Sequence, residues 1–438
     1  MTVKSSICLG HMQRPGGIDP ARFVHHDKTT VRSYGEFISA LNAAYSHQQH
    51  SLIDIAPGVR IEKFPLITGR TNAKEIILSG DGDTVVTGDS SRIVGIYNST
   101  RFGFANLNLD GREGQTRKGM VLGAAKEGAD RHQGPASHIW LDHVSISGVG
   151  QQIFKMSDAS HTVKLQHVDL TDSGIGPYGD GHAEANYFGA GTPADGKRRY
   201  PHGLDIESLY VANVRSEALD MKVNARGLKL RWFEFEDVSH DYSAALTLCI
   251  DAHDGGHGQD NMFDVADGYI HDVHSGEHAV HGIQVGAGGK LARIITDRIH
   301  GGHGLQTLRQ AYGPNNVLEA EDIIVLRTAR DALSSNATAH GPNHDRKIVE
   351  RFRNVGQQEG TAQEWADRLW RNTEPDMSPS IPTEPAPVAA PTVPGPSVKG
   401  IVAEKAERVD VKIDVEVTHN IDETIERLQQ LKADIEAL

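Results

Sequence analysis

One phrase, written twice in tandem, limits what this chain can fold into. Ser137-His138-Ile139-Trp140-Leu141-Asp142-His143-Val144-Ser145-Ile146 is followed by Ser160-His161-Thr162-Val163-Lys164-Leu165-Gln166-His167-Val168-Asp169-Leu170. His143-Val144-x-Ile146 returns as His167-Val168-x-Leu170 after 24 residues. Within each copy apolar and polar residues alternate, as a strand with every second side chain turned inward requires. A unit this short cannot bury its apolar face alone, but it can by stacking on neighbouring copies. The expectation is an all-β solenoid, a parallel β-helix.

Length and composition agree with that reading. A chain of 438 residues exceeds one ordinary core, whereas a solenoid grows by adding rungs. The 46 glycines suit many tight turns, and 38% hydrophobic residues suffice for a narrow continuous core. Cys8 and Cys249 cannot make a disulfide framework, and Cys249, within Ala245-Leu246-Thr247-Leu248-Cys249-Ile250, reads as a small buried residue. Met1 to Gly10 is too short an apolar run for a signal peptide, and no stretch approaches a membrane span, so the expectation is a soluble chain without its own export signal. A net charge of −14 argues against nucleic-acid binding, which needs a concentrated basic face.

In chain order, residues 1–32 read as an irregular arm. Ser33-x-x-Glu36 then caps an amphipathic helix carrying Phe37, Ile38, Leu41, Ala44 and Tyr45, placed to plug the open end of the coil. Φ-x-Φ strands recur at Leu107/Leu109, Val144/Ile146, Val168/Leu170, Phe233/Phe235 and Ile323/Val325. Ile270-His271-x-x-His274 and Ile299-His300-x-x-His303 lie 29 residues apart, and their histidines are expected to stack on adjacent rungs. The coil with its caps spans 33–372, closed by a helix that Thr361-x-x-Glu364 starts. Residues 373–398 form a Pro-rich, extended linker. In 399–438, Val409, Val411, Ile413, Val415 and Val417 alternate with charges, and Ile421, Ile425, Leu428, Leu431 and Ile435 then follow at helical spacing. A lone strand and a helix with such faces need partners, so this module is expected to self-associate, as a homotrimer, with docking to another protein as the rival.

The helix at 33, then Ile53-Asp54-Ile55-Ala56-Pro57-Gly58, then Ile76-Ile77-Leu78-Ser79-Gly80-Asp81-Gly82-Asp83-Thr84, then Asn98 to Gly111, is similar to the opening of the pectate-lyase-like superfamily of right-handed parallel β-helices. The resemblance covers about residues 33–335 and is specific for fold rather than chemistry. That family includes polysaccharide lyases, glycoside hydrolases and phage tail spikes and tail-associated proteins. Ser216-Glu217-Ala218-Leu219-Asp220-Met221-Lys222 resembles an acidic rung of its lyases. The resemblance implies Glu217 and Asp220 as Ca²⁺ ligands and Lys222 as the base that removes the proton beside a uronate carboxylate. The chain departs from the lyase pattern at Arg215, where an acidic ligand is expected, and at Leu248-Cys249-Ile250-Asp251, where an arginine is expected.

A hydrolase would instead need two facing carboxylates, for which Asp205 and Glu207 on one strand face and Asp220, Asp251 and Asp254 on nearby rungs are the candidates. Tyr178, Tyr187 and Tyr200 with Arg198 and Arg199 fall in the excursion Gly174–Gly203, where flat rings and cations would suit an acidic glycan. His271, His274, His278 and His281 beside Glu277 leave two readings open, a metal site or a ladder of stacked rings. Taken with the resemblance, the expected role is a phage tail-associated protein of the virion that binds a bacterial surface polysaccharide, with its cleavage as a depolymerase left open. The alternatives are a non-catalytic minor tail protein and an extracellular lyase or hydrolase.

Overall fold

A computed structural model describes residues 23, 26–47, 49–123, 134–179, 183–189, 199–222, 225–238, 244–250, 263–275, 279–309, 317–337 and 347–371. They wind into two parallel sheets. The longer has 13 strands and runs from Asp27–Val31 through Ser51–Ile55, Thr71–Ser79, Ser99–Asp110, Ala136–Val149, His161–Ser173, His202–Val214, Arg226–Val238, Phe263–Val273, Gly289–Ile299 and Val317–Val325 to Val349–Gln357, with Val85–Thr87 joining at one side. The shorter has 10 strands, from Ile67–Thr68 through Arg92–Tyr97, Lys118–Leu122, Phe154–Met156, Asn186–Phe188, Leu219–Lys222, Ala244–Ile250, His281–Val285 and Leu305–Leu308 to Leu333–Ala337. From Ser51–Ile55 onward each turn gives a strand to each sheet, the first turn carrying the helix Tyr34–Ala44 instead, and every pairing is parallel. The chain is a parallel β-helix.

The tandem phrase sets the register. His161 pairs with Ser137 and Val168 with Val144, the 24-residue step read from the sequence. The Φ-x-Φ pairs form two inward columns, one of them Leu107, Val144, Val168, Leu209, Phe233, Gly268, Ile294, Ile323 and Val355. Gly268 interrupts this column because the Phe233 ring occupies its side-chain position: an added Cβ would meet Phe233 Cζ at 2.0 Å.

Each long strand bends at a residue in the left-handed region, and these residues also stack. Asn106, His143, His167, Ser208, Trp232, Asp267, Arg293, Asp322 and Asn354 have φ between 51° and 62°. An L-residue there costs on the order of 1–2 kcal/mol, least for Asn and Asp. The ladder on either side of the bend holds each one in place. Across this corner Asp267 takes a two-point ion pair from Arg293, and Asn354 donates to Asp322 at 2.7 Å.

The caps form where their sequence signals stand. Ser33 accepts from the Glu36 amide at the start of the helix Tyr34–Ala44, which buries Phe37, Leu41 and Ala44 against the first rungs. Thr361 and Glu364 make a full capping box before the helix Ala362–Trp370. Rather than closing the end of the coil, this helix lies on the outer face of the long sheet, where Ala366 and Trp370 pack with Trp232, Tyr269, Ile295 and Ile324.

The histidine register differs from the 29-residue expectation. Asp272 pairs across the corner with Arg298 and Val273 pairs with Ile299, so the step is 26 residues. His274 therefore stacks on His300 and His271 faces Asp297, while His281 stacks on His303 across a 22-residue step. Cys249 is fully buried, as expected. No helix among the described residues is long and apolar enough to cross a membrane. The linker 373–398 and the module 399–438 lie outside the described residues.

Candidate functional site

On the short sheet, Phe154, Leu219 and Met221 point into the core, so Lys155, Tyr187 and Asp220 point out. Pairing places these three on adjacent rungs and continues the column through Thr247, Gln284 and Gln306. At a rung spacing of ~4.8 Å the column runs roughly 24 Å along the coil. The Lys155 ammonium lies 5.0 Å from the centre of the Tyr187 ring. Lys222 Nζ lies 2.9 Å from Asp220 Oδ2, and Asp220 is fully buried. Gly189 leaves room for both side chains: a Cβ there would meet Lys222 Cγ at 2.7 Å and Tyr187 Oη at 2.9 Å.

Beside this column runs a second polar stack, Gln152, Glu184 and Glu217, all buried. Backbone bonds fix its register, with the Ile153 amide donating to Glu184 O and the Ala185 amide donating to Glu217 O. Gln152 Nε2 donates to Glu184 Oε2 at 3.0 Å, and the Ser216 hydroxyl donates to Glu217. Burial, then the negative charges of Asp220 and Glu184, push the Glu217 carboxyl up to about 8. Lys222 thus stands at the edge of a buried acidic cluster, with its ammonium against Asp220.

Of the residues singled out in sequence, Glu217, Asp220, Lys222 and Tyr187 come together. Asp205 does not: it lies on the long sheet in an outward ladder of alternating charge, Lys164, Asp205, Lys229, Asp264, Lys290, Glu319 and Arg351. Tyr178 is exposed at the end of the 3-10 turn Gly176–Tyr178, beneath Arg117. Arg199 reaches back to the buried Asp158 at 3.3 Å, and Tyr200 is half-buried beside it in sequence. Arg198, Asp251 and Asp254 lie outside the described residues, as do His278 and Glu277 of the histidine cluster. Sequence reading passed over Lys155, Gln152 and Glu184, whose only signal was their place in the ladder.

The donor set does not make a calcium cradle at Glu217 and Asp220. Ca²⁺ takes six to eight oxygens, whereas here an ammonium already lies against Asp220 and a hydroxyl against Glu217. Among the described residues, these carboxylates are not one of the groups whose ligand atoms converge within 4.8 Å. A cavity of about 430 Å³ opens elsewhere, over Gly227, Phe263 and Gly289, beside the exposed charge ladder and away from Lys222.

Fold and site together define a β-helix with a stack of ionisable groups on its shorter sheet. No family model and no curated protein matches the chain. Solved structures with a similar course include an alginate lyase from Paenibacillus sp. str. FPU-7, at 12% identity and TM-score 0.49, covering 76% of this chain and 99% of that one. The A-module of the Azotobacter vinelandii mannuronan C-5 epimerase AlgE6 aligns at 11% identity and TM-score 0.42, covering 78% and 99%. The Agl-KA catalytic domain aligns at 11% identity and TM-score 0.34, covering 79% and 70%.

Proposed function

We propose that the short sheet's outer face cleaves an acidic, uronate-containing polysaccharide by β-elimination, with Tyr187 and Lys222 as the reacting pair. The observation that carries this is the meeting of the Lys222 side chain and the Tyr187 hydroxyl over Gly189. Lys222, paired with Asp220, neutralises the uronate carboxylate and so acidifies the neighbouring C–H. The role the resemblance gave it, that of base, passes to Tyr187. The Lys155 ammonium, 5.0 Å from the ring centre, would offset the negative charge Tyr187 carries when it acts as the base. The phenolate takes the proton from C5, the C4–O bond breaks as the C4=C5 double bond forms, and the phenol returns that proton to the leaving oxygen. The column from Lys155 to Gln306 would supply polar contacts along the polymer.

We place the substrate on a bacterial surface, met by the tail of a phage, and assign assembly, as a trimer, to residues 399–438 on their sequence pattern. Removing 399–438 should lower the native mass to that of a monomer; an unchanged mass rejects that assignment.

The test of the activity is incubation of the full chain with polyuronates and envelope polysaccharides, with and without Ca²⁺, reading ultraviolet absorbance of unsaturated uronates and reducing ends. Tyr187→Phe and Lys222→Met should each lower the absorbance rate about a hundredfold or more. Reducing ends without absorbance would shift the chemistry to hydrolysis by the carboxylates. Neither signal across the panel would leave the coil a binding or spacer element of a tail.

A further inference from the structure

On the outer face of the long sheet, rather than on the short sheet that carries Lys222, Glu234, Glu236 and His271 converge, and we infer that they bind a divalent transition-metal ion of the zinc class. Glu234 and Glu236 are two apart on Arg226–Val238 and so share a face. His271 pairs with Glu236 on the next rung. One ligand atom from each residue lies within 4.8 Å of the others.

Each of these groups is held from behind. His271 Nδ1 lies 2.7 Å from Asp272 Oδ2 and 3.0 Å from Arg298 Nη2. A carboxylate can only accept, so at the shorter contact Nδ1 carries the hydrogen and donates it to Asp272, which Arg298 holds in turn. That turns Nε2 toward Glu234 Oε1, 3.1 Å away. The Tyr210 hydroxyl donates to Glu236 Oε2 at 2.7 Å. A carboxylate behind the imidazole and a hydroxyl behind the carboxylate are the supports that orient metal ligands.

Nε2 and Glu234 Oε1 are both acceptors and need something positive between them. One proton on Nε2 would satisfy Oε1 alone. Yet Glu234 is 2% exposed and its other oxygen, Oε2, accepts no hydrogen bond among the described residues. Two carboxylates and a backed imidazole nitrogen satisfy a dication better than a proton. One nitrogen with two oxygens suits zinc or manganese rather than calcium. Glu236 and Tyr210 are only half-buried, so the ion would enter from their side.

The experiment is calorimetric titration of the chelator-treated full chain with Zn²⁺, Mn²⁺ and Ca²⁺ in parallel. The expected result is one saturable Zn²⁺ site that His271→Gln abolishes and Glu234→Gln weakens more than tenfold. Tyr210→Phe, which removes no ligand and no core contact, should weaken it about tenfold. Absence of a saturable site overturns the inference. So does a site that survives His271→Gln and Glu234→Gln unchanged, or one that prefers Ca²⁺ to Zn²⁺.

Discussion

His281 lies flat on His303 of the following rung, ring centres 5.3 Å apart and planes 9° apart, and its Nδ1 accepts the His303 backbone N–H at 3.0 Å. That bond needs an unprotonated Nδ1. Burial, and then His303 and Arg330, push His281 down from 6.5 to about 4. The folded chain therefore binds this proton less readily than the unfolded chain, and the stabilisation is complete above about pH 6.5 and lost as pH falls toward 4. The full effect is about 3 kcal/mol. Thermal unfolding across this range should show His281→Gln to be less acid-sensitive than the wild type by that amount; equal slopes would refute the assignment.

Asp220 and Lys222 form a pair whose carboxylate has no access to water. Removing one partner of such a pair costs about 3–5 kcal/mol, because the other charge stays buried. Asp220→Asn should therefore destabilise the chain by about 3 kcal/mol, and Asp220→Asn with Lys222→Met by less than the sum of the two. Additive losses in a denaturant double-mutant cycle would show that the contact carries no energy.

Gly268→Ala places a methyl group inside the Phe233 ring. Overpacking of this kind costs about 1–3 kcal/mol, and Phe233→Leu in the same chain should recover part of it. If Gly268→Ala unfolds at the wild-type temperature, the inward column is not packed as described.

The C-terminal helix Ala362–Trp370 supplies a further test. Trp370 is 2% exposed, with its ring 5.9 Å from that of Trp232, and Thr361 caps the first turn. Trp370→Ala should cost about 3–5 kcal/mol locally, and Thr361→Ala about 1 kcal/mol. Hydrogen exchange should quicken in 362–370 and in the rungs beneath before it does in the rest of the coil. Uniform exchange would mean that the helix and coil unfold as one.

The coil could be read from sequence because its signals are local. The tandem phrase at 137–170, Ser33 with Glu36, and Thr361 with Glu364 each specify their own surroundings. Register between distant rungs could not be read in that way. His271-x-x-His274 matches His300-x-x-His303 in letters, yet the corner pair Asp272 and Arg298 decides the alignment and shifts it by three residues. The short-sheet site was half legible. Glu217, Asp220 and Lys222 stand close in sequence, whereas Glu184 reaches them through one turn of chain and Lys155 and Gln152 through two, and nothing in their own segments announces it.

The placement of the helix Ala362–Trp370 on the sheet face has a consequence for the order of assembly. Rung pairs with rung one turn away in sequence, so the coil can zip from any starting point at little entropic cost. The surface that receives Trp370 is different, because Trp232, Tyr269, Ile295 and Ile324 come from four successive rungs. It does not exist until all four have wound in register. Full docking of the helix has to wait for those rungs, and a slipped rung would take one of the four residues out of the surface it packs on, so a tightly docked helix reports a correctly wound coil.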